Sequence, residues 1–300
     1  MRPRPLPPAL RGRPFAVDAA DRAGISRERL RRSDLTCPTR SIRWSRAAPP
    51  EGIARIRAFR PVLLPGQYVS HTTAAQLWEL PLPAAVAADD RIHVTSVCPA
   101  SQMRRVGVVG HRSDPARALV RARWGMPASS PASLWVECAS ILALDDLVVL
   151  GDAILAKQAC RTTLHELRAV AALHGRCRGA RHLRAALGLV RVGSGSPQET
   201  RCRLAIVRAG LPEPQLQVEV LDERGAFVGR VDMAYPEQRI AIEYEGDHHR
   251  TDPVQWASDI RRYRELERLG WIVLRWTKSD LTTHLFVALA SLAALIGARA

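Results

Sequence analysis

The sequence predicts an α/β protein, α+β overall, in which a mixed sheet flanked by helices follows a mostly helical amino-terminal region. Apolar runs that alternate with polar residues recur near the carboxyl end, between helical patterns. A glycine- and serine-rich stretch separates them from a region in which helical patterns dominate. Hydrophobic residues make up 47% and charged residues 24% of the chain, which is typical of a folded globular protein.

The chain length of 300 residues suggests about two domains. The predicted divisions are a disordered basic tail over 1–14, a helix-turn-helix-like segment over 15–60, a helix–strand domain over 61–190, a linker over 191–196 and an α/β domain over 197–300. The tail is assigned from its prolines and arginines, and the linker from its glycines and serines.

A basic segment near the amino terminus resembles a DNA-reading element. A short helix is expected to end before Gly24, and Ser26 is a plausible N-cap for a second helix that contains Arg29, Arg31 and Arg32. Helix, glycine turn and basic helix is the order of a helix-turn-helix, with residues 36–45 as its wing. The alternative is a helical hairpin with a solvated basic face.

The central region is expected to be largely helical. Helices are predicted over 49–60, 71–78, 134–157 with a break near Leu144, 163–173 and 181–189, and strands over 92–97 and 106–111. Three histidines in this region, His71, His93 and His111, are expected to pack or to face solvent.

The last hundred residues give the clearest succession of elements. The prediction is a helix over 197–209, strands over 215–221, 226–235 and 239–245, a helix over 253–269, a strand over 271–277 and a helix over 279–295. Ser196 and Glu199 form a capping box, which explains Glu199 without any chemistry. The apolar end, 281–300, is interpreted as a buried terminal helix because it contains no run of 18 apolar residues.

Three carboxylates, Asp232, Glu243 and Glu245, are expected on one face of the predicted hairpin. With a two-residue loop of Pro236 and Glu237, Asp232 lies opposite Ala241, and alternation places the other two acids on the same face. A four-residue loop gives the same parity. The opposite face then carries the apolar residues Val231, Met233, Ile240, Ile242 and Tyr244.

Clustered carboxylates repel one another unless a positive charge joins them, so a hard divalent cation, Mg²⁺ or Mn²⁺, is the expected cofactor. Asp232 and Glu243 are the predicted metal ligands. The alternatives are solvated positions for Asp232 and Glu245, and an ion pair of Glu243 with a neighbouring arginine such as Arg230.

This order of elements and acids resembles the PD-(D/E)XK nuclease fold, and more closely the Vsr-like endonuclease domains. The residues that carry the resemblance are Glu199, Val231-Asp232, Glu243-Tyr244-Glu245, Gly246, His248-His249 and Gly270-Trp-Ile-Val-Leu-Arg275. The resemblance implies a metal-dependent DNA endonuclease with Asp232, Glu243, Glu245, His249 and Glu199 as catalytic residues. Val231 replaces the motif proline and Glu245 the motif lysine; Arg275 or Lys278 could supply the missing positive charge.

The front half resembles the AbiEi-type antitoxin-like proteins. The residues concerned are Ala23-Gly-Ile-Ser26 with its basic segment, Ser70-His-Thr-Thr-Ala-Ala75 and Ile92-His-Val-Thr95. The resemblance implies DNA binding or repression of a linked operon, and it leaves open a cognate toxin as a partner.

The net charge of +15 favours DNA as a partner, with Arg261 and Arg262 as further phosphate contacts. All but two of the cations are arginines, and this bias is also typical of GC-rich bacterial genomes. Six scattered cysteines and the lack of a signal peptide or membrane span favour the cytoplasm. A homodimer stays open. The alternatives to an endonuclease are a non-catalytic DNA-binding regulator and a protein-interaction scaffold.

Overall fold

The computed structural model describes residues 5–37, 40–44, 51–175, 178–246 and 253–299, with the backbone alone for 253–258. The chain forms two compact units. Unit 1 comprises Met1–Leu142 and His165–Leu183, and unit 2 comprises Ala143–Leu164 and Arg184–Ala300. Helices and mixed sheets are both present, which confirms the α/β class.

In chain order, the helices and strands are β1 Phe15–Ala16, α1 Val17–Arg22, β2 Ile42–Arg43, α2 Gly52–Arg57, β3 Gln67–Val69, α3 His71–Leu77, α4 Ala84–Ala87, β4 Ile92–Val97, β5 Val108–Ser113, β6 Val120–Arg123, β7 Met126–Ser129, α5 Pro131–Cys138, α6 Leu144–Ala156, α7 Leu164–Leu173, α8 Ala180–Leu189, α9 Pro197–Arg208, β8 Gln215–Leu221, β9 Phe227–Tyr235, β10 Ile240–Tyr244, α10 Pro253–Arg268, β11 Ile272–Trp276 and α11 Leu285–Ala298.

Unit 1 contains more strand than the sequence patterns predicted. Its main sheet has the order β5-β4-β3-β7-β6, with β4–β5 and β3–β7 parallel and the other two pairs antiparallel. Only β4 and β5 were predicted. The other three strands are three or four residues long, which is too short to show a repeat of two.

The predicted helix-turn-helix takes a different form. After α1 the chain turns at Gly24, but the expected basic helix is a single 3-10 turn, Arg29–Arg31. The reason is that this segment carries only one buried apolar side chain, Leu30, and an isolated short helix is not stable without an apolar face to bury. In the wing region Thr36 pairs with Trp44, next to the β1–β2 pair.

The described part of the predicted disordered tail is packed. Residues Pro8–Leu10 form a 3-10 turn, and Leu6 and Leu10 are buried in a small core with Phe15, Ala20, Leu30 and Leu35. The two leucines are four residues apart and lie on one side of the turn, so composition alone was misleading for residues 5–14.

Unit 2 contains all seven predicted elements from α9 to α11. Its sheet has the order β11-β10-β9-β8, with β10 and β11 parallel and the other pairs antiparallel. Helices α9 and α11 bury one core, which contains Cys202, Ile206, Met233, Tyr235, Ile240, Ile242, Trp276 and Leu292. A second core, with Leu266 of α10, contains Val220, Val231, Ala234 and Ala241.

The hairpin of β9 and β10 has a four-residue loop, because Tyr235 pairs with Ile240 and Met233 with Ile242. Of the two loop lengths considered, the structure therefore has the longer, which gives the same parity as the two-residue loop. Alternation fails at Asp232, since Val231 and Met233 belong to different cores. On β8, Gln217 lies between Leu216, which pairs with Met233, and Val218, which pairs with Val231. Its φ is +50°, which is rare for a residue other than glycine.

Helix α9 is joined to α6 by a fully buried ion pair. Arg203 Nη2 donates to Asp152 Oδ2 at 2.8 Å, and the two side chains are 0% and 1% exposed. Thr200 Oγ1 donates to the same oxygen at 2.9 Å. The segment predicted as a linker, 191–196, lies inside unit 2: the Arg191 amide donates to Asp152 Oδ1 at 2.8 Å and Ser194 is buried.

The terminal helix α11 is not buried as expected. Leu292 is its one buried residue, whereas Phe286 is 85% and Val287 61% exposed. The helix packs one side on the sheet and leaves the other side open, because every position of it is apolar or small regardless of the direction it faces. Among the described helices, none is both long and apolar enough to cross a membrane.

Candidate functional site

Asp232 is a half-buried acid in a strand that is irregular at this position. Its Oδ2 accepts a hydrogen bond from the Tyr244 amide at 3.0 Å. The pKa of Asp232 is raised to about 6, first by burial and then by the negative charge of Glu199 and, less, of Glu243; the Tyr244 amide and Arg262 act in the opposite direction. Among the described residues, none forms an ion pair with Asp232.

Glu199 both caps α9 and faces the site. Its amide donates to Ser196 Oγ at 3.2 Å, as the capping box predicts. Its carboxylate reaches back one residue further than expected, since Oε2 accepts from the Gly195 amide at 2.7 Å and from Gln217 Nε2 at 3.1 Å. The cap and the electrostatic effect on Asp232 therefore coexist in one side chain.

Glu243 is buried and is already compensated. Arg262 pairs with both of its oxygens, with Nη2 at 3.0 Å from Oε2, and Tyr263 Oη donates to Oε2 at 2.6 Å. The alternative considered for Glu243, an ion pair with a neighbouring arginine such as Arg230, is present with Arg262 instead. Arg262, predicted as a phosphate contact on a solvated helix face, has a side chain that is only 22% exposed and lies against Glu243.

Gly229 makes room for this arginine. A Cβ at position 229 would lie 2.8 Å from Arg262 Cδ, which is closer than real Cβ contacts. The arginine side chain therefore runs from α10 directly over the backbone of β9, and this path needs a residue without a side chain.

Glu245 has two partners of its own. Arg275 Nε donates to Oε1 at 2.8 Å, and Tyr263 Oη lies 3.0 Å from the same oxygen. Because Tyr263 has one hydroxyl proton, it can donate a hydrogen bond to only one of the two glutamates, Glu243 or Glu245, at a time. Burial and the bond to Glu243 raise the pKa of Tyr263. Arg275, one of the two residues predicted to supply positive charge, is therefore paired with Glu245.

The donor chemistry of Asp232, Glu199 and Glu243 fits a hard divalent cation, since all three offer carboxylate oxygens. The fit is incomplete in one respect, because both oxygens of Glu243 are bonded to Arg262 or Tyr263. Within the described part of the chain, no three acidic groups bring ligand atoms within 4.8 Å of one another. A cation there would have to displace part of the Arg262 contact.

The other predicted site residues are dispersed or lie elsewhere. His249, like His248, lies outside the described residues. Arg29 is bonded to Asp34, with Nη1 at 2.9 Å from Oδ1, whereas Arg31 and Arg32 are exposed. Arg261 is exposed on α10.

A cluster of three histidines in unit 1 was missed by the sequence analysis. His71 begins α3, His93 lies on β4 and His111 on β5, and their ligand atoms all lie within 4.8 Å of one another. His93 Nδ1 is 3.0 Å from His111 Nε2, and the rings of His71 and His111 stack with centroids 3.7 Å apart. Burial lowers the pKa of all three, that of His93 to about 4.

A buried glutamate supports this histidine cluster. Glu137 Oε2 accepts the His71 amide at 2.9 Å and lies 3.8 Å from His71 Nδ1. Ser129 Oγ donates to the same carboxylate, and burial raises the pKa of Glu137 to about 7. A cavity of about 380 Å³ opens beside the cluster; among its lining residues are His71, His111, Glu137, Ser140, Arg112 and Arg117.

The fold and the two clusters define an α/β protein with an acidic group in one compact unit and a histidine cluster in the other. No protein-family model matches the chain. The chain is 33% identical over 210 residues to the uncharacterized protein Rv2248 of Mycobacterium tuberculosis strain H37Rv, and equally to the uncharacterized protein MT2308 of strain CDC 1551 / Oshkosh. The match covers 70% of this chain and 73% of each relative, so the chain belongs to the same family as these two proteins.

Proposed function

We propose that the protein is a metal-dependent DNA endonuclease that hydrolyses phosphodiesters in a Vsr-like, restriction-endonuclease-like carboxy-terminal domain. One observation carries the proposal: Asp232 is half-buried close to Glu199 and Glu243, and its pKa is raised first by burial and then by the negative charge of these two acids, with no ion-pair partner among the described residues. Buried like charges are unfavourable, and their concentration at one place is typical of a functional site.

Asp232 and Glu243 would hold the ion, with Glu199 next to them. Bound there, Mg²⁺ or Mn²⁺ supplies a Lewis acid for a phosphate oxygen and a water of lowered pKa. Arg275 and Arg262 lie at the rim of the acidic group and would bind phosphate oxygens with their guanidinium N–H groups. Glu245, in the place of the motif lysine, is bonded to Arg275 and would hold that arginine in position.

The amino-terminal unit would bring the enzyme to DNA. The net charge of +15 and the exposed arginines Arg31 and Arg32 support a salt-sensitive affinity for phosphates, to which the exposed Arg261 of unit 2 would add. This targeting role, and the cytoplasm as its compartment, are part of the proposal.

The second candidate is a non-catalytic DNA-binding regulator. It is favoured by the neutralisation of Glu243 and Glu245 by Arg262, Tyr263 and Arg275, which gives the acids a structural explanation.

The test is the nicking of supercoiled plasmid in Mg²⁺ and in Mn²⁺ by the full chain. Wild type is expected to cut, and Asp232→Asn, which keeps the size and an acceptor oxygen for the Tyr244 amide, is expected to lose at least about a hundredfold in rate. Glu219→Gln is the matched control, because Glu219 is an exposed acid on the same sheet. DNA binding without cutting by wild type in either ion would contradict the endonuclease and favour the regulator.

A further inference from the structure

We propose that His71, His93 and His111 form a binding site for a divalent transition-metal ion of the zinc class. This site is independent of the carboxylate group and of the proposed nuclease activity, because all three residues belong to unit 1. Neutral imidazole nitrogens suit Zn²⁺, Co²⁺ or Ni²⁺, whereas Mg²⁺ prefers oxygen ligands.

The distances between the histidines are close to those that a metal requires. Two nitrogens bound to one tetrahedral ion at about 2.0–2.1 Å lie roughly 3.4 Å apart. His93 Nδ1 and His111 Nε2 are 3.0 Å apart, and the three ligand atoms lie within 4.8 Å of one another. His71 Nδ1 is bonded to Ser70 Oγ at 2.9 Å, which leaves its Nε2 as the ligand atom.

One ring has to turn for all three nitrogens to point at a common ion. The rings of His71 and His111 are stacked at an interplanar angle of 18°, so their lone pairs lie in nearly parallel planes and do not converge on one point. His111 is the most exposed of the three and lines the cavity, so a rotation about its Cβ–Cγ bond meets the least resistance.

Hydrogen bonds from neighbouring residues position His71 and His93. The Thr73 hydroxyl accepts the His93 amide at 2.9 Å, and Glu137 accepts the His71 amide. Thr95 Oγ1 donates to Ser70 Oγ at 2.8 Å, which orients the partner of His71 Nδ1. Of these partners, Ser70 is the one bonded to a ring nitrogen, and an outer hydrogen bond of this kind sets the tautomer and direction of a histidine ligand in a metal site.

His71 also adopts a backbone conformation that needs a reason. Its φ of +51° at the start of α3 is uncommon for a residue other than glycine, and such strain is concentrated at functional sites. This conformation places the imidazole beside His111 and the amide on Glu137.

The cavity beside His71 and His111 leaves a fourth coordination position accessible. Its volume of about 380 Å³ is ample for a water or a small anion, and Arg112 and Arg117 are among its lining residues. Three histidines with an open position are the pattern of a reactive zinc site, whereas a structural zinc site is closed by four protein ligands.

The test uses the full chain, freed of metal by a chelator and titrated with Co²⁺ and with Zn²⁺. Wild type is expected to bind one equivalent of Co²⁺ with the visible absorption of a four- or five-coordinate nitrogen–oxygen site, and Zn²⁺ is expected to displace it. His111→Asn is expected to weaken Zn²⁺ binding at least about a hundredfold by calorimetry.

Two controls separate this cluster from other ligands. His174→Asn alters a cavity-lining histidine that is bonded to the Val170 carbonyl, and the double change His248→Asn, His249→Asn alters the pair outside the described residues. Both variants are expected to bind like wild type. The proposal is overturned if wild type shows no Co²⁺ band, if the band indicates thiolate ligands, or if only the double variant loses the ion.

Discussion

The carboxylate group of unit 2 and the histidine cluster of unit 1 differ in how their members come together. Asp232 and Glu243 lie on the two strands of one hairpin, so a short stretch of sequence determines their proximity. The histidines come from the start of a helix and from two parallel strands, whose register depends on the whole sheet. Local pairing can be derived from a sequence pattern, whereas the alignment of parallel strands cannot.

The two clusters also differ in how their charge is balanced. The acids Glu243 and Glu245 face Arg262, Arg275 and Tyr263, which neutralise them within unit 2. The histidines face one another, and the one carboxylate beside them, Glu137, is held by Ser129 and a backbone amide. Glu243 and Glu245 are thus compensated within unit 2, whereas Asp232 has no ion-pair partner among the described residues. The histidine cluster offers unprotonated nitrogens.

The largest effect is expected from Asp152→Ala, which removes the buried partner of the fully buried Arg203 and leaves it the partly exposed Glu213. Breaking a buried pair from one side costs about 3–5 kcal/mol of unfolding free energy. Because Arg203 and Glu199 share α9, we expect amide hydrogen exchange to rise around the carboxylate group and not on β4 and β5. The matched control is Asp146→Ala, which breaks a half-exposed pair with Arg201 and is expected to cost about 0–1 kcal/mol. An equal loss of unfolding free energy in the two variants would contradict a larger contribution from the buried Asp152–Arg203 pair.

A smaller effect is expected from Asp232→Asn, with the opposite sign. The pKa of Asp232 is about 6 in the folded chain and near 3.8 otherwise, so the folded state binds its proton more tightly. Wild-type stability therefore falls as the pH rises from about 4 to about 6. The asparagine in the variant does not ionise, so the variant does not lose this stability. It should be more stable than wild type by about 1–3 kcal/mol at pH 7 and equally stable below pH 4. Urea unfolding of both proteins between about pH 4 and pH 7 measures this difference in unfolding free energy. A variant less stable than wild type at pH 7 would refute the burial of an uncompensated acid at position 232.

The smallest effect is expected from Arg262→Met on ion binding. Removing the guanidinium frees Glu243, so the affinity for Mn²⁺ should rise about tenfold, which equals about 1.4 kcal/mol. Calorimetric titration of the full chain with Mn²⁺ provides the measurement. Arg261→Met, its exposed neighbour on α10, is the control and should leave the affinity unchanged. No Mn²⁺ binding by either variant would support the regulator.

The elements of unit 2 could be predicted because each has a strong local signal. The capping box at Ser196, the tight turn after Tyr235 and the glycine stop at Gly270 mark boundaries that the structure retains to within a few residues. The parity of the hairpin also followed from its even loop length. The irregularity at Asp232 did not, because it depends on the conformation of Gln217 on the neighbouring strand.

The rest depended on tertiary contacts that leave no local pattern. Arg262 and Tyr263 look like part of a basic helix face, and only the packing of α10 on the sheet brings them to Glu243 and Glu245. In unit 1, Arg29 belongs to a run of arginines, yet the structure uses it in a local pair with Asp34. Charge in the sequence thus predicted a polyanionic partner without distinguishing exposed arginines from paired ones.

Gly229 illustrates a purely steric constraint. It contributes no functional group, yet the smallest side chain there would collide with Arg262 Cδ and push the guanidinium off Glu243. In a saturation-mutagenesis scan, position 229 should therefore score as intolerant to every replacement, alanine included. In an Arg262→Ala background the same scan should tolerate replacements at position 229, because the arginine side chain that they would meet is gone. The two positions can therefore change only together.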